Sequence, residues 1–527
     1  MTGAGSLGVQ DLQVLGPVII LTALALILVL ADVVLRVCTR GRRGLGLTGS
    51  VVLTLVGSGV AFAYSLWLWN RVNLAGLPVV GKAFIAHGPP SQLPQHMMAP
   101  GQAPILTWKG AALVADHFAL FIVIGACLVL AYVALLLLPH LRRSRLYRSE
   151  IFPLLTISAI GMMLLGMSRD LLVTFIAIEI LSLPLYVLCG LDETRSGSRE
   201  AALKYFLLGA FASGFFIYGA ALIYGMSGHL NYAAIADYMV KAPEPPIFIV
   251  GVALVGVGLC FKLALAPFHA WVPDVYQGAP TPLTGYMAVG VKVATFAAAL
   301  RFFVEAATHA DVSYWRAALA VFAVLSMLVG NLFALHQMSA KRLLAYSAIA
   351  HTGYLAVGLC VAGPEVSASI LVYLAAYGLA AMGAFAMISY LAPPEQDDVY
   401  LDEMYDLSRR TPGTAIALVI LMLSLAGFPL TAGFIGKLLV FADAWHAGLY
   451  ALVILAVLNS VVGVYYYLRF VMAMYMQPRV PGAVELKPPR MSGAYAIPAL
   501  VTVVLTLLFG VLPGVLIDWA RSCTIGL

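Results

Sequence analysis

Apolar residues occur in blocks of about twenty along nearly the whole chain, and short polar segments separate them. A helix needs about 20 such residues to cross the hydrocarbon core of a bilayer. The blocks predict about fourteen membrane-spanning helices, at 14–36, 46–70, 116–139, 149–167, 170–190, 200–227, 244–266, 280–306, 314–337, 342–362, 365–392, 411–445, 447–474 and 491–519. The stretch 411–445 is too long for one straight span, and Gly427, Pro429 and Gly433 predict a break within it.

Composition supports the same class of protein. Of the 527 residues, 62% are hydrophobic and 10% are charged, whereas a soluble domain carries about 25% charged residues. No basic run is interleaved with aromatic residues, so nucleic acid is not an expected partner. The six cysteines are scattered without a C-x-x-C pair, and the sequence has no Gly-rich dinucleotide loop or flavin motif. We therefore expect no metal and no cofactor in this chain.

Basic residues alternate between the two sides of the predicted membrane domain. The odd-numbered connections are rich in them: Arg36, Arg40, Arg42 and Arg43 in the first, Arg142, Arg143, Arg145 and Arg148 in the third, Arg195, Arg199 and Lys204 in the fifth, Lys341 and Arg342 in the ninth, Arg409 and Arg410 in the eleventh, and Arg479, Lys487 and Arg490 in the thirteenth. Even-numbered connections mostly carry single charges. Since cytoplasmic loops are enriched in Lys and Arg, this pattern places the odd connections in the cytoplasm and both termini in the periplasm.

Two connecting segments have a distinctive composition. Residues 71–115 form a long outer segment rich in Gly and Pro, which predicts a loop. Residues 393–410 are first acidic and then basic. A solvated cytoplasmic face explains that second segment, and a docking surface is the alternative.

Four ionisable residues lie inside apolar blocks: Glu179, Lys262, Lys292 and Lys437. A charge at mid-bilayer costs about 2.5–3.5 kcal/mol on insertion scales, so such residues usually have a function. For Glu179 the alternative is a carboxylate paired with a neighbouring helix for packing alone. For Lys292 the alternative is a lone lysine bound to backbone carbonyls.

Prolines follow three of these residues or interrupt their helices. Pro184 frees the carbonyl beside Glu179, and Pro267 frees the Leu263 carbonyl after Lys262. The Gly–Phe–Pro sequence before Lys437 frees the Leu425 carbonyl. Broken helices are tolerated in membranes where they line a cavity or lie within protein. A buried lysine with a movable carboxylate partner can be switched between its charged and neutral forms, as a proton relay requires.

His351 and Lys204 are weaker candidates. Histidine titrates near neutral pH, but a satisfied core histidine explains His351 equally well. Lys204 lies near a helix start and can simply face the cytoplasm. Hydroxyl groups that could join these sites are Tyr205, Tyr346, Ser347 and Tyr354.

The order of the candidates predicts an internal repeat. Glu179 and His351 fall on the second helix of two consecutive sets of five, helices 4–8 and 9–13. Lys262 and Lys437 both fall on the fourth helix, and both fourth helices have proline breaks. Because five is odd, the two sets insert in opposite orientations, which is a transporter architecture. The predicted division is 1–140 (three helices and the outer loop), 141–310 (first repeat), 311–475 (second repeat) and 476–527 (a last helix).

Long stretches of the chain resemble a known family. The runs SREAALKYFLLGAFASGF, FKLALAPFHAWVPDVYQGAPTPLTGYMAVGVKVATF, SAKRLLAYSAIAHTGYLAVGL and SLAGFPLTAGFIGKLLVF are similar to subunit N of bacterial respiratory complex I, the proton-pumping NADH:quinone oxidoreductase. The resemblance covers roughly residues 140 to 475. PDVYQGAP is typical of subunit N rather than of its sisters L and M, and M has a glutamate where this chain has Lys437.

The resemblance implies roles for the five buried residues. It implies a proton relay of Glu179, Lys262, Lys292, His351 and Lys437, in which Glu179 and Lys262 form an ion pair that can open. It also implies neighbours such as antiporter-like subunit M and small membrane subunits, a place in the bacterial inner membrane, and redox cofactors (NADH, flavin, iron–sulfur clusters and quinone) held by other subunits. Two alternatives are a subunit of a multi-subunit cation/proton antiporter, and a structural membrane subunit whose buried charges only fix packing.

Overall fold

A computed structural model describes most of the chain. The described residues are 13–38, 46–75, 112–146, 148–241, 246–306, 313–361, 363, 366–477, 491–523 and 525. Within them the regular structure is helical, apart from isolated two-residue bridges such as that between Leu113 and Ser168. The central part of the predicted outer loop, 76–111, lies outside the described residues, as do the basic residues predicted for the thirteenth connection.

The long helices follow the apolar blocks closely. They are α1 Gly16–Cys38, α2 Gly46–Ala75, α3 His117–Arg143, α4 Ile151–Met167, α5 Leu171–Cys189, α6 Ser196–Ser227, α7a Pro246–Leu263, α7b Val272–Gly278, α8 Thr281–Ala306, α9 Ser313–Ala334, α10 Ala340–Leu359, α11 Val366–Leu391, α12a Pro412–Ala426, α12b Ala432–His446, α13 Tyr450–Tyr475 and α14 Gly493–Val511. Short helices cover Tyr232–Lys241, Leu407–Arg410 and Gly514–Arg521.

The helices are built to cross a membrane. Among the described residues, eleven are long and apolar enough to do so, and α4 and α12a are shorter apolar helices. Large apolar side chains point outward from α1, α6, α13 and α14, where lipid can solvate them. The chain is therefore an all-α integral membrane protein. The total of about fourteen spans, the two inverted repeats and the division into four parts stay predictions.

Side-chain caps fix several helix starts. Asp116 caps α3 by accepting a hydrogen bond from Ala119 N at 2.8 Å. Asp170 caps α5 by accepting from Leu172 N at 2.8 Å, and Ser339 caps α10 by accepting from Arg342 N at 3.1 Å. Each cap satisfies a backbone N–H that has no partner within its helix.

The most deeply buried helices lie at the centre of the bundle. Almost every residue of α8, α10 and α11 is buried, whereas α6 and α13 are buried along one side only. Helix α8 is not uniform: two π-helical turns, Met287–Val291 and Phe302–Ala306, flank its segment Lys292–Arg301. Turns of this kind are rare in proteins, and those that do occur are often found at functional sites.

The expectation for 393–410 is partly wrong. Glu395 and Arg409 are exposed, as a solvated face requires, but Asp397, Asp398 and Glu403 are buried. Asp397 and Asp398 accept hydrogen bonds from the starts of α8 and α10. The acidic run is therefore largely an internal contact of this chain, because the helix starts supply the donors that the carboxylates need.

Candidate functional site

The break in α7 lies beside Lys262. Helix α7a ends at Leu263, and Ala264 follows with φ +64°, an uncommon conformation for a residue other than glycine. The Leu263 carbonyl has no N–H partner four residues on, because that residue is Pro267. Thr352 of α10 donates its hydroxyl to this carbonyl at 3.1 Å. The prediction that the proline leaves this carbonyl available is confirmed.

Lys262 is held by hydroxyl groups of α5. The ammonium nitrogen lies 2.7 Å from Ser182 Oγ and 3.0 Å from Tyr186 Oη, and the residue is only 4% exposed. Ser182 and Tyr186 are four residues apart and therefore share one face of their helix. The rings of Tyr186 and Tyr205 lie 5.2 and 5.5 Å from the ammonium, within the range of cation–π attraction.

Glu179 lies one turn before Ser182 on the same face of α5. It is half-buried, and the Ser213 hydroxyl of α6 donates to its carboxylate. Glu179 and Lys262, both described, make no ion pair within 4.0 Å. The predicted ion pair is one that can open, and it stays a prediction: in this structure Lys262 binds Ser182 and Tyr186 instead. The carboxylate borders an apolar groove of about 450 Å³ on the outside of α4 and α5.

Lys292 joins α8 to α10. It follows the first π-helical turn, is 4% exposed, and donates to the Ala348 carbonyl at 2.6 Å. Thr352 Oγ also lies 2.9 Å from this carbonyl, and the Tyr377 ring lies 4.5 Å from the ammonium. A carbonyl partner is what the alternative interpretation of Lys292 predicts. The same contact, however, places Lys292 where the two predicted repeats meet.

His351 has a tyrosine on each ring nitrogen. Nδ1 lies 2.9 Å from Tyr373 Oη, and Nε2 lies 3.1 Å from Tyr467 Oη, which also shares a hydrogen bond with the Ser347 hydroxyl. The ring centroid lies 5.0 Å from that of Tyr377, the ring that contacts Lys292. His351 is thus a buried histidine with a hydrogen-bond partner on each ring nitrogen, and it also lies between Lys292 and Lys437.

Lys437 follows the break between α12a and α12b. Its ammonium donates to the carbonyls of Leu425 at 3.2 Å and Ala426 at 2.9 Å, and to Ser460 Oγ at 3.0 Å. The predicted availability of the Leu425 carbonyl is confirmed. Gly427 makes the close approach possible: its φ is +86°, and a Cβ there would lie 3.0 Å from Lys437 Cδ. The Tyr354 ring lies 5.0 Å from the ammonium.

Several functional partners were not found from the sequence. They are Ser182, Tyr186, Ser213, Thr352, Tyr373, Tyr377, Ser460 and Tyr467. A usable signal existed for some, since Ser182 and Tyr186 follow Glu179 at helical spacing and Thr352 adjoins His351. Tyr346 was predicted as a hydroxyl that could join the sites, but its ring stacks on Phe333. Lys204 pairs with Glu200 and Asp274 at 2.6 Å and is partly exposed, as its alternative interpretation predicts.

The arrangement brings together groups that can accept and donate protons. Amines, an imidazole, hydroxyls and carbonyls alternate from α5 to α13, and most of the groups are buried. Within the described residues, no three His, Cys, Asp or Glu side chains are grouped to hold a metal ion.

Comparisons with known proteins agree with this geometry. Residues 168–463 match the family described as NADH:quinone oxidoreductase/Mrp antiporter, TM. NADH-quinone oxidoreductase subunit N 1 of Sorangium cellulosum is 44% identical over 413 residues, which cover 76% of this chain and 81% of that protein. A chain of respiratory complex I from Thermus thermophilus with bound aureothin is 37% identical, with a TM-score of 0.75 over 96% of this chain and 99% of that one.

A further solved structure shows the fold alone. A chain of the Mrp complex from Dietzia sp. is 21% identical, with a TM-score of 0.79 over 98% of this chain and 96% of that one. The level of identity separates the two kinds of relative, because it is 44% and 37% for the complex I proteins and 21% for the Mrp chain. The chain belongs to the subunit N family of the NADH-quinone oxidoreductases.

Proposed function

We propose that this chain translocates protons as the antiporter-like subunit N of a proton-pumping NADH:quinone oxidoreductase. The relay consists of Glu179, Lys262, Lys292, His351 and Lys437. The contact between Lys292 and the Ala348 carbonyl carries the proposal, because it brings a titratable group of α8 onto the helix that holds His351. In this relay the proton moves from Lys262 through Lys292 and His351 to Lys437, which releases it outside.

Hydroxyl groups and rings support the individual steps. Thr352 reaches both the Leu263 carbonyl next to Lys262 and the Ala348 carbonyl that binds Lys292. Tyr377 lies between Lys292 and His351, and Tyr354 lies between His351 and Lys437. These contacts support a relay in which movements of the lysines pass the proton from one group to the next.

The chain is a multi-pass protein of the bacterial inner membrane. In the proposed arrangement both termini face the periplasm, and 141–310 and 311–475 act as two half-channels that meet at Lys292. The redox reaction, with NADH, flavin, iron–sulfur clusters and quinone, takes place in other subunits. Antiporter-like subunit M and small membrane subunits are the neighbours.

The test is the replacement Lys262→Ala in the assembled complex, reconstituted in vesicles. We expect quinone-coupled proton uptake to fall to background, because the amine of the first half is lost. Arg409→Ala is the matched control: it also removes one positive charge, but from a side chain that is 86% exposed and far from the relay in the chain. Unchanged pumping by an intact Lys262→Ala complex would remove this residue from the relay.

The matched family description names the Mrp antiporters beside the oxidoreductases, which leaves one alternative, a subunit of a multi-subunit cation/proton antiporter. Sodium flux without any quinone-dependent redox activity would favour it. A purely structural role predicts full pumping in a triple variant that lacks Glu179, Lys262 and Lys437.

A further inference from the structure

Two adjacent aspartates are buried in the connection between α11 and α12a. Asp397 and Asp398 are 4% and 3% exposed, although their neighbours Glu395 and Asp402 face outward. Buried carboxylates are retained only with strong partners, because desolvation of an unpaired charge is costly. Their contacts therefore show what this connection holds in place.

Asp397 binds the first residue of α8. Thr281 N donates to Asp397 Oδ2 at 3.0 Å, and Thr281 Oγ donates to Asp397 Oδ1 at 2.8 Å and to the Asp397 carbonyl at 3.1 Å. The carboxylate thus satisfies a backbone donor at the start of α8, where the helix dipole also favours a negative charge.

Two cations and a histidine surround the same carboxylate. Lys341 Nζ lies 3.4 Å from it, Arg195 Nη 3.5 Å and His140 Nδ1 3.8 Å. Lys341 also donates to the Ala279 carbonyl at 2.6 Å and to the Asp397 carbonyl at 3.0 Å. Lys341 belongs to the first turn of α10, so one lysine connects the starts of α8 and α10 through Asp397.

Asp398 binds the start of α10 in the same manner. Ser339 Oγ donates to Asp398 Oδ2 at 2.6 Å, and Lys341 N lies 3.4 Å from Asp398 Oδ1. Gln277 of α7b donates to Asp398 Oδ2 at 3.2 Å. The two aspartates, adjacent in sequence, therefore cap two different helices and fix their ends relative to each other.

Those two helices carry the contact on which the relay depends. Lys292 follows Thr281 by eleven residues, about 16 Å along α8, and Ala348 follows Lys341 by seven, about 10 Å along α10. We infer that Asp397 and Asp398 are positioning residues that set the spacing of α8 and α10 where Lys292 meets the Ala348 carbonyl. The inference rests on the proposed proton relay.

The size of the effect follows from the geometry of proton transfer. The hydrogen bond from Lys292 to Ala348 is 2.6 Å long. A misplacement of about 1 Å in a reacting group can cost on the order of a hundredfold in rate. A change at the helix starts therefore reaches the relay although none of its groups is altered.

The experiment uses four variants of the assembled complex in vesicles: Asp397→Asn, Thr281→Val, Thr281→Ser and Glu395→Gln. Asp397→Asn removes the charge. Thr281→Val removes the hydroxyl bonds at nearly constant volume, and Thr281→Ser keeps them. Glu395→Gln is the matched control, an acidic residue of the same connection that is exposed. Quinone reduction per assembled complex, proton uptake and the solvent deuterium isotope effect on turnover are measured.

We expect Asp397→Asn and Thr281→Val to slow turnover per complex by roughly tenfold or more and to raise the isotope effect, because proton transfer becomes rate-limiting. Thr281→Ser should restore most of the loss, and Glu395→Gln should behave as the unaltered protein. A merely structural contact changes the amount of complex but neither the turnover per complex nor the isotope effect.

Unchanged turnover and isotope effect in both variants, while Lys292→Ala abolishes proton uptake, would overturn the positioning role and leave the relay standing. Full proton uptake in Lys292→Ala would instead reject the relay. If Thr281→Val prevents assembly and Thr281→Ser does not, the contact only holds the fold, and the inference is also overturned.

Discussion

Lys262 and Lys437 occupy equivalent places in the predicted repeats, but their surroundings differ. Lys262 lies in the last turn of the helix before a break and binds two hydroxyls, whereas Lys437 follows a break and binds two carbonyls and one hydroxyl. A hydroxyl can accept or donate a hydrogen bond, but a carbonyl can only accept. The Lys262 site can therefore satisfy an amine as well as an ammonium, while the three acceptors around Lys437 match the three N–H bonds of an ammonium.

Helix ends increase this difference. The carbonyls that bind Lys437 belong to the last turn of α12a, where the helix dipole is negative. The nearest acid on the α5 face beside Lys262, Glu179, is not in ion-pair contact with it. Symmetry of sequence position thus does not imply symmetry of chemistry. In the proposed relay, the Lys262 site would exchange a proton and the Lys437 site would hold it until release.

The largest effect is expected from removal of each lysine in turn. Both Lys437→Met and Lys262→Met should stop proton uptake, but Lys437→Met should also destabilise the subunit by roughly 1–3 kcal/mol more, because it removes the ammonium that donates to two buried carbonyls. Ser182, in contrast, still donates to the Ile178 carbonyl when Lys262 is lost. Thermal inactivation of the purified complex measures the difference. Equal losses of stability would contradict the comparison.

The breaks themselves give the second test. Gly427→Ala places a Cβ at φ +86° and 3.0 Å from Lys437 Cδ, at a cost of about 1–2 kcal/mol for the left-handed conformation and with displacement of the ammonium. Proton uptake should fall severalfold. Ala264→Gly is the counterpart in the first half and should relieve strain at φ +64° without slowing uptake. Equal effects of the two variants would show that the breaks are only hinges.

A smaller effect separates the hydroxyls of the two sites. Ser182→Ala removes one of two hydroxyls that bind Lys262 and should slow proton uptake roughly fivefold, the equivalent of about 1 kcal/mol. Ser460→Ala leaves both carbonyls on Lys437 and should slow uptake less than about twofold. Initial rates of uptake at matched amounts of complex provide the measurement. The reverse order of the two rates would refute the assignment of exchange to the first half.

The smallest expected effect is on the pH dependence of stability, and it concerns the contact of Asp397 with Thr281 and Lys341. Burial raises the pKa of Asp397, but the charges of Lys341, His140 and Arg195 and the hydrogen bond from Thr281 lower it more, so the pKa is below its usual value. A lowered pKa in the folded state means that the carboxylate stabilises the fold above the ordinary carboxyl pKa of about 3.9.

That stabilisation is lost as the pH falls through the lowered pKa. The difference in thermal inactivation temperature between the unaltered complex and Asp397→Asn should be full at neutral pH and shrink below about pH 5. A difference that grows in acid would mean that Asp397 is stabilised in its protonated form.

The helices and lysines were predictable because lipid imposes strict rules. Each span must be apolar for about 20 residues, so its limits and any charge within it stand out in the sequence. The proline breaks allowed the Leu263 and Leu425 carbonyls to be identified. Serine, threonine and tyrosine are common in any membrane helix, so the positions of Ser182 after Glu179 and of Thr352 beside His351 were weak signals, and Tyr377 carried none until three-dimensional contacts selected it.

Two expectations leave out the same physical effect. Opposite charge predicts a Glu179–Lys262 ion pair that can open, which stays a prediction, and local composition predicts an exposed acidic face at 393–410, which is partly wrong. Neither argument includes competing partners from distant helices. Ser182 and Tyr186 take the Lys262 ammonium, and the starts of α8 and α10 take Asp397 and Asp398. Such competition depends on the packing of helices that are far apart in the chain.

Thr352 lies where a movement of the α7 break would change the binding of the Lys292 ammonium. Its single hydroxyl proton lies within reach of the Leu263 carbonyl, at the α7 break, and of the Ala348 carbonyl, which also binds Lys292. If the break moves away, that proton turns fully to Ala348 and competes with Lys292 for the oxygen lone pairs. Displacement of one helix end by a fraction of a hydrogen-bond length thereby changes how firmly a charge is held on another helix. In the proposed relay, the Thr352 hydroxyl would link a movement of the α7 break to the binding of Lys292.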